Sequence, residues 1–90
     1  MIFKKGVKKM IFANDLKKGT EIKLKSGWSA IIKDNKKGLI RMALVFGNYE
    51  ELGSIYIFDI DQALVGGEWC NVALTEAQAK QAEKIINQLE

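Results

Sequence analysis

The sequence predicts a mostly β (β+α) domain: a small antiparallel barrel of about four to six strands followed by one C-terminal amphipathic helix. Three observations predict it. Short runs of alternating apolar and polar residues fill the first three quarters of the chain. Glycine-containing turn signals separate them at hairpin spacing. The apolar period changes to a helical one only after Leu74.

The first structured signal is Val7–Phe12, after Lys4-Lys5 and Gly6; Asn14-Asp15 then marks a turn. Leu16-Lys17-Lys18-Gly19 reads as a short turn or a single helical turn ended by glycine. Glu21–Lys25 alternates strictly, with Ile22 and Leu24 on one face and Glu21, Lys23 and Lys25 on the other. Ser26-Gly27 is a hairpin turn, and Trp28–Ile32 is its returning strand. Asp34–Gly38 is a polar connection to a third strand, Leu39–Phe46. Gly47–Gly53 reads as a seven-residue loop between glycines, and Ser54–Ile60 as the strongest strand. After Gly66-Gly67, Glu68–Ala73 forms a short last strand.

Thr75 and Gln78 then make a capping box, because the threonine hydroxyl accepts from the third helical N–H while the glutamine reaches back. Ala82, Ile85, Ile86 and Leu89 follow at helical spacing, so Thr75–Leu89 is an amphipathic helix. Its stripe either packs on the barrel or presents a partner surface. The whole of 1–90 reads as one domain: a flexible basic arm at 1–6, the barrel at 7–73 and the helix at 75–89.

Composition excludes much chemistry. The chain has no histidine and a single cysteine. A Ser-His-Asp or Cys-His pair, a histidine-ligated metal and an intramolecular disulfide are ruled out. No dinucleotide or P-loop glycine spacing occurs. The expectation is a protein that is not an enzyme and uses no cofactor and no metal. Cys70 reads as a small apolar filler beside Trp69. No signal-peptide pattern occurs, and the longest apolar run, Met42–Phe46, has five residues. A bilayer span needs roughly 20. A cytoplasmic protein with no membrane role is expected.

The charge is split along the chain. Residues 1–41 carry eleven lysines and Arg41 against three acids, and residues 42–90 carry two lysines against eight acids. Lys17, Lys18, Lys23, Lys25, Lys33, Lys36 and Lys37 all fall in the meander, where folding can gather several on one side. Alternatively they are its solvated faces, and much of the split cancels between neighbouring strands. Lys4, Lys5, Lys8 and Lys9, with the Lys36-Lys37 tip, are the cations expected to stay unneutralised.

Arg41, the single arginine, lies in an apolar strand and reads either as a residue that points to solvent or caps a loop carbonyl, or as the partner of a carboxylate such as Asp59 or Glu51. Trp28 is a core plug or a cleft wall, and Tyr49 and Tyr56 are further aromatic surfaces. The candidate binding residues are therefore Trp28, Lys36, Lys37, Arg41, Tyr49, Glu51 and Tyr56.

The element order is that of SH3-like or OB-like barrels. Asp15–Leu24 followed by Gly27-Trp28 resembles the opening of SH3-like modules, where a glycine-ended turn precedes the first long strand. Asp15–Ile60 also resembles a family of small bacteriophage and prophage proteins. The carrying residues are Gly27-Trp28-Ser29-Ala30, Asp34-Asn35-Lys36-Lys37-Gly38, Arg41-Met42-Ala43 and Gly53–Ile60, with Trp69 and Leu74–Gln78 in keeping. The resemblance implies phage origin rather than an activity. Small phage proteins without catalytic equipment act by binding: they inhibit a host enzyme or a defence system, or sequester a nucleotide. The expected partner is thus a host protein or a small anionic ligand such as a nucleotide. A nucleic-acid-binding module and an oligomeric virion or assembly component are the alternatives.

Overall fold

A computed structural model describes residues 9–89. The mostly β class with one C-terminal helix is as the sequence predicts. The strands are β1 (Met10–Phe12), β2 (Glu21–Leu24), β3 (Ser29–Ile32), β4 (Ile40–Phe46), β5 (Glu50–Tyr56), β6 (Ile60–Val65) and β7 (Glu68–Ala73), followed by helix α1 (Glu76–Leu89).

They form one sheet in the order β1-β7-β6-β2-β3-β4-β5. Among the described residues the sheet has seven strands and is open, with β1 and β5 as its edges. It is also mixed, because β1 runs parallel to β7 while the other pairs are antiparallel. An all-antiparallel barrel of fewer strands was the expectation. The departure comes from the chain returning at its end: β7 brings Asn71–Ala73 beside Met10–Phe12. Residues 1–6 and 7–8 lie outside the described residues.

Local turn chemistry sets the hairpins. Gly27 sits at φ +97°, a region closed to most side chains, and its N–H donates to the Leu24 carbonyl at 2.9 Å. The β2–β3 reversal follows. The short turn expected at Leu16–Gly19 forms, with Gly19 at φ +95° and the Thr20 N–H donating to the Lys17 carbonyl at 3.0 Å, and the turn expected at Asn14-Asp15 is a 3-10 turn over Ala13–Asp15. Two boundaries move. The expected loop at Gly47–Gly53 is only Gly47-Asn48-Tyr49, because Glu50, Glu51 and Leu52 pair with Phe46, Val45 and Leu44. The expected strand Ser54–Ile60 is broken by a 3-10 turn at Ile57–Asp59. There the chain leaves β4 and joins β2, and both Ile57 and Ile60 turn into the core.

The core is formed by Ala13, Leu16, Ile22, Ala30, Ile32, Ala43, Ile57, Ile60 and Ala63. Burying these apolar side chains is the main stabilising term. The capping box of α1 forms as the spacing requires: the Gln78 N–H donates to Thr75 Oγ1 at 3.2 Å and the Thr75 N–H to Gln78 Oε1 at 3.1 Å. The amide of Gln78 also donates to Asn14 Oδ1 at 2.8 Å, which ties α1 to the turn before β2. Ala82 is buried and Ile85 half-buried, whereas Ile86 and Leu89 are exposed, so only the first part of the apolar stripe docks. Among the described residues, no helix is long and apolar enough to cross a membrane.

Candidate functional site

The site is built around Arg41. Alternation along β4 turns Arg41, Ala43 and Val45 to the inner face, so the arginine enters the core and is fully buried. A buried guanidinium must have every donor satisfied. Nε donates to Asp34 Oδ1 at 2.6 Å, Nη1 to the Ala13 carbonyl at 3.0 Å, and Nη2 to the carbonyls of Leu16 at 2.6 Å and Asp34 at 2.8 Å. Asp34 Oδ2 in turn accepts the Met42 N–H at 2.8 Å. The 13–16 turn and the β3–β4 connection are thereby fastened to β4.

The arginine caps loop carbonyls, one of the roles the sequence left open, and it also pairs with a carboxylate, though with neither Asp59 nor Glu51. Its partner is Asp34, seven residues back, because the connection folds onto its own strand. Burial pushes the Asp34 carboxyl up. The hydrogen bond from Arg41, the Met42 N–H and the guanidinium charge outweigh that and hold it below the ordinary carboxylate value.

Two asparagines extend this framework. Asn35 Oδ1 accepts the Lys18 N–H at 2.8 Å, and Asn14 Oδ1 accepts the Gly38 N–H at 3.4 Å. The Gly19 N–H donates to the Ile32 carbonyl at 2.7 Å, and the Ile32 N–H to the Thr20 carbonyl at 2.9 Å. The segments 17–20 and 33–38 are thus bound side by side at one end of the sheet. They bring together Lys17, Lys18, Lys33, Lys36 and Lys37, all exposed. Among the described residues none of the five is in an ion pair. Their nearby acids are Asp15 and Glu21, since Asp34 is consumed by Arg41. Two clefts flank Lys17. The larger, about 610 Å³, lies between Asp15–Glu21 and the β6–β7 turn. The smaller, about 350 Å³, lies between Asn14–Lys17 and Asn35–Lys37.

The residues singled out in the sequence do not form one site. Lys36, Lys37 and Arg41 belong to this end, although Arg41 acts as its fastening and is out of reach of solvent. Trp28, Tyr49 and Glu51 gather at the opposite end, with Val45 and Asn48, around a hollow of about 150 Å³. The Trp28 ring lies so close over Gly47 that a Cβ there would meet it at 2.5 Å. Trp28 is about half exposed and Tyr49 is 78% exposed, so Trp28 is a wall rather than a plug. Tyr56 stacks on Phe58 at 4.7 Å and lines neither the clefts beside Lys17 nor the hollow at Trp28.

Of the basic arm, Lys4, Lys5 and Lys8 lie outside the described residues. Lys9 pairs with Glu68 at 2.9 Å, which raises its pKa, so it is not among the unneutralised cations. Lys23 lies 4.5 Å from the Trp69 ring. The roles of Asn14, Asp34 and Asn35 were missed by the sequence reading. Their one local signal is the affinity of Asn and Asp side chains for nearby backbone N–H groups. No family model matches the chain, and neither a curated protein nor a solved structure matches it.

Proposed function

We propose that the protein is a non-enzymatic binding protein, of the phage type its sequence resembles and acting in the host cytoplasm, whose partner is a small anionic ligand held at the lysine end. The observation that carries this reading is five exposed lysines on two hydrogen-bonded segments, none of them in an ion pair among the described residues. Like charges placed together raise the local potential and attract anions. Clefts of the size found beside Lys17 suit a small molecule.

The chemistry of the lining narrows the ligand. No aromatic side chain lines either cleft, so base stacking contributes nothing there. Arg41 has its donors engaged and offers no fork to a ligand. Recognition falls to lysine ammonium groups, which act as point charges. Such a site selects by charge density, and a compact polyphosphate or polycarboxylate group fits it best.

Calorimetric titration at low salt with pyrophosphate, a nucleoside triphosphate and citrate tests the reading. Binding should follow anion charge and weaken as salt rises. The pair Lys17→Glu and Lys37→Glu should abolish it, and Trp28→Ala should leave it intact. No heat with any of the three anions, or unchanged binding by the double variant, would refute the proposal.

A further inference from the structure

The edge strand β5 has its own chemistry, independent of the lysine end. It is seven residues long and, among the described residues, pairs with β4 alone. Alternate N–H and C=O groups along an edge face outward and can accept another strand. Natural edges are blunted by charged residues, above all lysine, by proline or by a bulge; β5 has charges only at its start, Glu50 and Glu51, has no lysine or proline, and pairs with β4 in unbroken register. The sheet face beside it is apolar. Ile31, Leu44 and Leu52 form a row across β3, β4 and β5 that stops at the edge, where Leu52 is 63% exposed. Ile40 and Met42 on the same face are also exposed.

We propose that β5 is the interface of a two-fold homodimer, formed by antiparallel pairing with β5 of a second copy. Full overlap of the two strands centres the register on Gly53. Leu52 then stands opposite the partner's Ser54 and diagonal to the partner's Leu52, within reach of a long side chain. The apolar row continues from one subunit into the next. Charge fixes the choice of occupant. The start of β5 carries Glu50 and Glu51, and 47–56 contains no cation. Its other end, at Tyr56, pairs with Ile40, directly after the connection that carries Lys36 and Lys37. Antiparallel pairing sets the acidic end of each copy beside the lysine-bearing end of the other and keeps the two acidic ends apart. A parallel pairing would put like charges together.

Sedimentation equilibrium of the full chain, from micromolar to millimolar, tests this. The wild type should fit a monomer–dimer equilibrium. Leu52→Lys places two cations diagonally across the axis and should raise the dissociation constant at least about tenfold. Ser54→Lys is a second variant at an exposed site with the same expected effect. Mixing Leu52→Lys with Leu52→Glu should restore association. A wild type monomeric throughout, growth beyond the dimer, or dimers that survive both lysine variants would each overturn the proposal.

Discussion

The lysine end and the hairpin end of the sheet hold their functional side chains by opposite means. At the lysine end, segments 13–20 and 33–38 are bound to β4 and to each other through Arg41, Asp34, Asn14 and Asn35. At the hairpin end, an aromatic ring rests on a glycine, and Tyr49 projects into solvent. The difference follows from what is being held. Lysines that repel one another stay together only on a framework whose hydrogen bonds do not depend on them. An aromatic hollow needs only shape. Positive charge thus sits in two settings in one small domain: the buried arginine fastens the framework, and the five lysines stay exposed and outside any ion pair among the described residues.

The largest test removes the fastening. Arg41→Met leaves Asp34 beside apolar surroundings and the Ala13 and Leu16 carbonyls without their donors. Breaking a buried pair in this way costs about 3–5 kcal/mol, to be read as a shift of the urea midpoint. Arg41→Lys does not rescue it, because one ammonium cannot reach four acceptors on two segments.

A smaller effect comes from Asp34 itself. Its folded carboxyl lies below the ordinary value, so its contribution is fully present above the unfolded value of about 3.9. It is lost as pH falls through the lower folded value. Stability measured by denaturation should decline as pH drops below about 4. Asp34→Asn should flatten that part of the profile and cost about 1.5–3 kcal/mol at neutral pH, the range for a hydrogen bond to a charged group.

The smallest effect belongs to the hairpin end. Gly47→Ala forces the Trp28 ring aside, since the added carbon would lie 2.5 Å from it. We expect a loss of about 1–2 kcal/mol and a red shift of tryptophan emission, with the lysine end unaffected. Equal losses at both ends would erase the contrast between them.

What the sequence made legible was local. The capping box spans three residues, and the alternation and turn of β2 and β3 span about a dozen, so both could be read directly. What it hid depends on pairing between distant segments. Ser54–Ile60 has the composition of one strand, and only the change of partner from β4 to β2 explains the turn at Ile57. Glu50 and Glu51 look like loop residues until Phe46 and Val45 pair with them. Lys17 and Lys37 are far apart in sequence, and it is the Asn35 amide that brings their segments together. Trp28, Tyr49 and Glu51 gather at one end of the sheet, away from Lys36 and Lys37. Residue type alone carries no information about which end of a strand a loop occupies.

The most direct test of the central claim is a pyrophosphate titration followed through backbone amide chemical shifts. Binding at the lysine end predicts saturable shifts centred on residues 17–19 and 33–38, with 47–50 unmoved. Shifts centred on 47–50, or none at low salt, would contradict it.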